Sequence, residues 1–494
     1  MSASREKKMR KLTGDSAAKV TEAPKKSNKT IKKVLAIAVS VILVLAIVFF
    51  CLINFGFFNN HGTAAVVSGH KLTPAMVNYF YRTTISNMSE MLSYLGVDSS
   101  KSLSSQAYMN DQFDTWADYL LDQALAGASE IYALYDAAIA DGYQLSDEDK
   151  AQIDSNIATY EMYAPYYGYE SVDQMIAAEY GKGCNEENFR EYMTVSLIAS
   201  NYANDYNNSL SYSADQLSQY YQEHTEEFDA VTYRMYNVAV SEGTENVAKA
   251  MEELEVIAED IATSSVGSEL IFIEKVNEYA TEEDAFSMTT EDSTLRENNT
   301  KKNVDELFVD WLFDNERKEG DTTYIRNGDA GYYVLYFKSF TDNNYQLPNV
   351  RHILISSQDV NDEEARAAAK EQAEQLLSDF LAGEATEEAF AALATEKSAD
   401  SAEGGLYENI LHGKMVATFE DWCYDEARQI GDTGIVESDY GYHVMYFSGY
   451  GETYLDYTVR ETMRSNDYNV WYDGIIANVS YKSYSFMMKF ASIT

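Results

Sequence analysis

The sequence is 494 residues long, a length that suggests about three domains rather than one. It holds 80 acidic and 37 basic residues, a formal net charge of −43. Such an acidic excess argues against a nucleic-acid-binding protein, because phosphate contacts require a basic surface. The charge is unevenly placed: residues 1–33 hold 11 Lys or Arg and three Asp or Glu, so this segment is +8 and the remainder is −51.

An uncharged apolar run, residues 34–53, follows the basic segment. As a helix it would be roughly 30 Å long, the thickness of a bilayer core. The positive-inside rule predicts that residues 1–33 are a basic cytoplasmic tail, that 34–57 are a transmembrane anchor, and that the bulk of the chain is extracytoplasmic. A cleaved signal peptide would end in small residues, and a lipoprotein site would need them before Cys51, where two phenylalanines stand. We therefore favour an uncleaved, single-pass anchor at the cell membrane.

Residues 58–230 show mainly helical periodicity. Apolar residues recur at three- and four-residue intervals in 116–128, and Ser213-x-x-Gln216 is a helix-start signal. A short strand-like stretch, 63–73, opens the region. Many of the 40 tyrosines fall here, and Tyr packs its ring while its hydroxyl stays in water. Such a surface could bind extended peptides, although packing between helices is the commoner role.

The clearest internal signal is a repeat of about 110 residues. Residues 308–322 match 419–433 at offset 111, sharing Asp-Trp, Arg and Gly-Asp-Thr at the same positions. Residues 329–337 then match 439–447 at offset 110. The period is longer than that of solenoid repeats, so the pattern predicts two related domains rather than an array.

The second copy predicts a complete small domain. Its expected elements are a strand at 349–355, a helix from Asn361 or Asp362 to about Leu381 that Gly383 ends, a helix at 386–394, a helix at 419–428 and a strand at 441–447. The order β-α-α-α-β is typical of an α+β domain in which a sheet packs on helices.

Two histidines occupy these predicted strands. His352 lies in the first and His443 in the last, and adjacent strands would bring them within reach of each other. Asp400 precedes a glycine pair. The sequence lacks a nucleophile elbow, a His-Glu-x-x-His motif and a phosphate-binding glycine loop. The residues alone therefore predict a buried His–His–Asp cluster beside an apolar pocket, lined by Met415 and Phe419.

The cysteines outside the apolar run, Cys184 and Cys423, are far apart in sequence. A disulfide-stabilised secreted domain would be richer in cysteine. We expect two unrelated buried thiols.

Several ordered motifs of the second copy resemble a parvulin-type peptidyl-prolyl cis/trans isomerase domain. They are Arg351-His352-Ile-Leu-Ile355, Phe390-x-x-Leu393-Ala394-x-x-x-Ser398-x-Asp400-Ser401, Gly404-Gly405, Gly413-Lys-Met415-x-x-x-Phe419 and Gly441-Tyr-His443-Val444. The outer chain as a whole is similar to extracytoplasmic foldases of the PrsA/SurA type, in which a helical N-terminal chaperone region, completed by a C-terminal helix, carries one or two parvulin domains.

This resemblance implies an α+β protein with a single transmembrane helix and four outer parts. These are a helical chaperone domain (58–230), a degenerate parvulin-like domain (231–345), a parvulin isomerase domain (346–450) and a C-terminal helix packing on the chaperone domain (451–494).

The resemblance also implies site roles. The matching catalytic positions are His352, Asp400 and His443, and the matching substrate-binding positions are Met415, Phe419 and Leu406; the family requires neither a metal nor another cofactor. The sequence departs from the family at 404–408, where Gly-Gly-Leu-Tyr-Glu replaces the usual Gly-Gly-Asp-Leu-Gly.

The first copy departs from the family further. Its Tyr333 stands where the second copy has His443, and its opening strand, 233–238, has no histidine. We expect a catalytically inactive fold, retained for binding or spacing.

The expected function is isomerisation and folding assistance for exported proteins at the outer face of the membrane. The expected partners are unfolded or newly exported polypeptides with X–Pro bonds, and the membrane through a single N-terminal helix; no nucleic acid is expected. One alternative is a non-catalytic holdase whose parvulin folds are structural or client-binding. Acidity and tyrosine content alone suggest a third, a surface adhesin or scaffold.

Overall fold

A computed structural model describes residues 28–280, 291–357, 362–400 and 402–494. Most of the basic tail, the alternative helix start at Asn361, and Ser401 lie outside the described residues. The chain divides into two compact units: residues up to Asn208 together with Val470–Thr494 form the first, and Ser209–Asn469 form the second.

The first unit is mainly helical. Its elements are α1 (Asn28–Asn54), α2 (Phe57–His61), β1 (Ala65–Val67), β2 (His70–Leu72), α3 (Pro74–Asn87), α4 (Ser89–Tyr94), a 3-10 turn (Leu103–Ser105), α5 (Trp116–Ala140), α6 (Asp147–Tyr163), α7 (Val172–Tyr180), α8 (Glu186–Ser209), the end of α17 (Tyr454–Ile476), β11 (Tyr481–Ser483) and α18 (Ser485–Met488). Its core lies where α3, α5 and α8 meet, with Tyr79, Leu120 and Phe189 buried together.

Helix α1 is the apolar run predicted from the sequence. Among the described residues it alone is long and apolar enough to cross a membrane, over Leu35–Asn54, with a mean hydropathy of 3.3. None of its side chains is buried in the protein over that length, and nearly all are exposed. The helix is therefore suited to an apolar surrounding outside the protein.

The strand-like stretch that opens this region is a hairpin, β1 and β2, joined by Ser68-Gly69. Strand β11 pairs with the other edge of β1, with Ala65 opposite Ser483. Trp471, in the last turns of α17, stacks on Tyr206 of α8 with ring centroids 4.0 Å apart. The end of the chain thus returns to the first unit through both backbone pairing and aromatic packing.

The second unit contains both copies of the repeat. Its elements are α9 (Ala214–Glu223), α10 (Thr225–Phe228), β3 (Ala230–Ala239), α11 (Val247–Ser264), α12 (Glu269–Tyr279), 3-10 turns (Glu291–Thr294 and Lys301–Asn303), β4 (Leu295–Thr300), α13 (Val309–Leu312), β5 (Thr322–Arg326), β6 (Gly331–Phe340), β7 (Gln346–Ser356), α14 (Glu363–Ala382), α15 (Glu387–Lys397), a 3-10 turn (Glu403–Gly405), β8 (Leu406–Tyr407), α16 (Ala417–Cys423), β9 (Thr433–Ser438), β10 (Gly441–Thr453) and most of α17.

The two copies have the same sheet topology. The first is ordered β4-β3-β6-β5 and the second β8-β7-β10-β9, with antiparallel pairing throughout. Side-chain details repeat as well: Arg317 lies 4.0 Å above the ring of Trp311, and Arg428 lies 4.1 Å above the ring of Trp422. The repeat read from the sequence is therefore a repeat of fold.

The β-α-α-α-β pattern omitted two strands of each sheet. In the second copy these are β8, only two residues long, and β9, which contains a glycine and gives a weak strand signal. The third helix, expected at 419–428, spans only Ala417–Cys423. It stops because Arg428 folds back over Trp422 and its Nε donates to the Trp422 carbonyl, 3.2 Å away.

Each face of the second sheet packs against different partners. Ile353 and Val444 point towards α14 and α15, whereas Val350 and Met445 point towards α16. Successive residues of a strand point to opposite faces, so this alternation decides which side chains join the helices and which face α16.

The contact boundary between the units falls at Asn208, earlier than the domain boundary expected at 230. Residues 209–229 belong to the second unit because Leu217 and Phe228 pack against Val459 of α17 in a small buried cluster.

Gly441 starts β10 at a φ of 136°, and an added Cβ would lie 2.2 Å from the Ile355 carbonyl oxygen. We predict that Gly441→Ala destabilises the second unit by at least about 2 kcal/mol, through backbone strain and this clash. Gly127→Ala, in mid-helix with open space around it, should instead stabilise by about 0.5–1 kcal/mol. Denaturant unfolding measures both; equal stability of the two variants would contradict the prediction.

Candidate active site

The structure brings the two strand histidines together. In the β7–β10 pairing, His352 lies opposite Met445 and His443 lies opposite Leu354, so the two histidines are diagonal neighbours on one face of the sheet. Their Nδ1 atoms are 3.1 Å apart, and their ring centroids are 5.3 Å apart. One Nδ1 therefore donates a hydrogen bond to the other.

Both imidazoles are buried, with only 3% of His352 and 6% of His443 exposed. Burial lowers the pKa of His352, although the charge of Asp400 opposes the shift. Burial and, secondarily, the neighbouring His352 lower the pKa of His443 to about 4. The pair is therefore neutral at pH 7, since a charged imidazole in this setting would lose its hydration and repel its neighbour.

Ser438, the last residue of β9, completes the polar contacts of His443. Its Oγ lies 2.7 Å from His443 Nε2 and accepts a hydrogen bond from the backbone N–H of Tyr440 at 3.2 Å. The sequence motifs did not point to this residue. A strand assigned at 433–438, followed by the two-residue turn before Gly441, would have placed Ser438 diagonal to His443.

Asp400 lies at the other end of the pair, with Oδ2 3.7 Å from His352 Nε2. The same oxygen accepts a hydrogen bond from the Tyr407 hydroxyl at 3.2 Å, and Oδ1 accepts one from the backbone N–H of Ala402 at 2.9 Å. Ser398 ties the segment to β7, because its Oγ accepts hydrogen bonds from the backbone N–H groups of Leu354 and Asp400. The carboxylate is thus held close to His352 without a direct hydrogen bond.

Aromatic rings cover the histidines. Phe419, on α16, stands edge-on to both, with centroids 5.3 Å from His352 and 5.4 Å from His443. Tyr407 lies 5.0 Å from His352. Met415 is half-buried against the cluster that contains Phe419. Phe419, Tyr407 and Met415 thus form an apolar wall. Beneath it lies a polar floor, which consists of the two histidines with Ser438 and Asp400.

Leu406 lies apart from this arrangement. It pairs with Arg351, whose side chain is on the opposite face of β7 from His352, and it lines a cavity there with Arg351 and Ala391. Its neighbour Tyr407 pairs with Val350 and takes the position beside His352. Successive side chains of a strand point to opposite faces, so Tyr407 faces His352 and its neighbour Leu406 does not.

The first copy lacks both histidines at equivalent positions. Tyr333 corresponds to His443 in the repeat, and Met235, which lies opposite Leu335 in the β3–β6 pairing, corresponds to His352. The aromatic cover is retained, since the Phe308 ring lies edge-on to Tyr333 at 5.3 Å. This copy has the fold without the polar pair.

The two cysteines beyond the apolar run, Cys184 and Cys423, are buried free thiols, as expected. Burial raises the pKa of Cys184 and of Cys423 to about 12, so neither forms a thiolate at neutral pH. Within the described ranges, no group of three or more His, Cys, Asp or Glu side chains is arranged to hold a metal ion.

The sheet that bears the two neutral histidines lies in a part of the sequence that matches a known protein family. Residues 332–448 match the family described as the PPIC-type PPIase domain, from strand β6 of the first copy into β10. The chain therefore contains a peptidyl-prolyl cis/trans isomerase domain of the parvulin type.

Comparison with solved structures adds distant likenesses. The chain is similar to the peptidylprolyl isomerase PrsA of Bacillus anthracis, at 17% identity over 49% of this chain and 98% of that one, with a TM-score of 0.18. It is similar to PrsA of Bacillus cereus at 16% identity, over 63% and 89%, with the same TM-score of 0.18. No curated protein matches the sequence.

The lowered histidine pKa values make the stability of the second unit dependent on pH. His443 takes up a proton near pH 6.5 when unfolded and near pH 4 when folded, so its contribution is present above pH 6.5 and is lost as the pH falls to 4. We predict a loss of about 3 kcal/mol over this window. Denaturant unfolding across the pH range measures it; a His443→Leu variant should give a shallower slope, and an unchanged slope would contradict the assignment.

Proposed function

We propose that the site formed by His352, His443 and Asp400 catalyses cis/trans rotation about X–Pro bonds in unfolded or newly exported polypeptides. The observation that carries the proposal is the hydrogen-bonded neutral histidine pair beneath Phe419, inside the isomerase domain. Rotation about the bond has a barrier of about 18–20 kcal/mol because the amide is conjugated. It requires no nucleophile, only a site that favours the twisted amide.

The polar floor supports one direction of hydrogen bonding. Ser438 accepts from the Tyr440 backbone, so its hydroxyl proton is free to be donated to His443 Nε2. His443 then donates from Nδ1 to His352 Nδ1, and the remaining proton of His352, on Nε2, points towards the Asp400 carboxylate. The opposite direction would set an imidazole lone pair against that carboxylate. Asp400 therefore selects the tautomers without ionising the pair.

The apolar wall supplies the complementary surface for the substrate. Phe419 and Met415 would hold the proline ring, and we propose Tyr407, which lies beside His352, rather than Leu406 as the third residue that lines the pocket. Polar groups that are already fixed in position beside an apolar pocket stabilise the twisted amide and so lower the barrier to rotation. Each 1.36 kcal/mol by which the barrier falls gives a tenfold rate increase.

The proposed setting is the outer face of the membrane that α1 spans. Support comes from the exposed apolar length of α1 and the basic segment before it. The helical first unit would act as the chaperone part of a membrane-anchored foldase, bringing exported chains to the isomerase domain.

A second candidate function, client holding without catalysis, is favoured by one observation. The first copy has kept the sheet and the aromatic cover while Met235 and Tyr333 replace the histidines. We propose that this copy binds clients and that catalysis resides in the second copy.

The isomerase assignment is tested with a model X–Pro peptide and the full-length protein in detergent. His352→Ala and His443→Ala should each lower kcat/KM at least about tenfold, since each breaks the hydrogen-bonded pair. Tyr333→Ala, at the equivalent position of the first copy, should leave the rate unchanged. Wild-type rates in both histidine variants would refute the site assignment, and no rate above the uncatalysed background in the unmodified protein would support the holdase function instead.

Ser438 is proposed as a positioning residue. Ser438→Ala should lower kcat about fivefold with KM nearly unchanged, because one hydrogen bond worth about 1 kcal/mol orients His443. Ser438→Thr, which keeps the hydroxyl, should restore the rate. A loss that threonine does not rescue would argue against the positioning role.

A further inference from the structure

A continuous series of aromatic rings joins the end of α1 to the C-terminal segment. Phe49, in the last turns of α1, contacts Phe58 of α2 at a centroid distance of 5.4 Å. Phe58 stacks on Phe490 at 5.0 Å, and Phe490 contacts Phe486 of α18 at 5.8 Å. The segment 484–490 therefore lies beside the outer end of the apolar helix, although it is more than 400 residues away in sequence.

Polar contacts fix this segment against the helix end. Lys182 donates from Nζ to the carbonyl of Ile53 at 2.9 Å, in the last turn of α1. The side chain of the buried Asn59 donates to the carbonyls of Lys182, at 2.9 Å, and Phe490, at 2.7 Å. One amide group thus joins α2, the loop before α8 and the C-terminal segment.

The C-terminal segment has apolar residues on both faces. Met487, Met488 and Ala491 pack into the core of the first unit. Phe486, on the other face, is 58% exposed, and Phe55, directly after α1, is 87% exposed. Burial of the first set stabilises the fold, whereas most of the Phe55 and Phe486 side chains lies outside the packed core. Exposed aromatic groups next to a membrane-spanning helix indicate contact with an apolar phase outside the protein.

The charge of the segment fits a membrane surface. Residues 477–494 hold two lysines, Lys482 and Lys489, and no acidic residue, whereas the chain beyond residue 33 has a net charge of −51. Both lysines are exposed. A basic, aromatic segment is attracted to anionic headgroups, from which the acidic remainder is repelled.

From these contacts we infer that Tyr484–Phe490 is a second membrane-binding element, lying in the headgroup region of the bilayer that α1 spans. The inference rests on the proposed function, in which α1 is a membrane anchor. Phe55 and Phe486 enter the interface, and Lys489 contacts lipid phosphates. The first unit is then held against the membrane at two points, so it cannot swing freely about the end of α1.

A fluorescent label at position 486 tests the contact. The full-length protein with Cys51→Ala and Phe486→Cys is labelled with a nitrobenzoxadiazole dye, since Cys184 and Cys423 are buried. It is reconstituted into vesicles of phosphatidylcholine and phosphatidylglycerol. The label should be protected from aqueous iodide and quenched by nitroxide-bearing lipids.

The matched control is Ile139→Cys in the same background. Ile139 is also exposed, but it lies near the end of α5, close to Tyr143, whose hydroxyl bonds Asp205. Asp205 lies about 28 Å along α8 from Glu186. Glu186 follows the loop that contains Lys182, which contacts the end of α1, so Ile139 is far from the proposed membrane contact. A label there should be quenched by iodide and not by nitroxide lipids.

Three results would overturn the inference. Equal iodide quenching at 486 and 139, in protein that floats with the vesicles, would leave α1 as the anchor but remove the second contact. Protection at 486 that disappears when the protein is diluted with excess lipid would assign the patch to a second copy of the chain. Protein that fails to float with the vesicles would refute the anchor and, with it, this contact.

Discussion

The antiparallel pairing of β7 with β10 is the constraint on which the site depends. It sets His352 opposite Met445 and His443 opposite Leu354, so both imidazoles project from one face at hydrogen-bonding distance. A shift of one residue in either strand would send one histidine to the helix-covered face. The same register places Ile353 and Val444 in the core beneath α14 and α15, and the hydrophobic packing of one face thereby stabilises the geometry of the other.

Burial then determines the chemistry of the pair. In water, two imidazoles would each be partly protonated over part of the physiological pH range. Beneath Phe419 and Tyr407 they remain neutral, because burial lowers their pKa. A neutral, hydrogen-bonded pair has fixed dipoles and no mobile charge, which suits a reaction that rotates a bond without breaking one. Asp400 is partly exposed and accepts hydrogen bonds from Tyr407 and the backbone of Ala402, so its carboxyl group stands beside the pair rather than within it.

The duplicated domain shows that fold and site are separable. Both copies keep the sheet order, the arginine stacked on tryptophan and the aromatic ring above the site face. Among its described residues, the first copy differs at the two histidine positions, which are Met235 and Tyr333. Packing residues hold the sheet together whether or not a reaction takes place on it, so the histidines can be replaced without loss of the fold.

Sequence by itself determined the apolar helix, the repeat, the buried thiols and the two strands that bear histidines, because each depends on local periodicity or on matching positions. It could not tell which face of the sheet Leu406 and Tyr407 occupy, and it missed Ser438, because β8 and β9 are too short or too irregular to give a strand pattern. Only the tertiary structure decided these, along with the return of β11 to β1. A strand's pairing partner and register are set by contacts between distant residues, and they alone decide which of two neighbouring side chains faces the site.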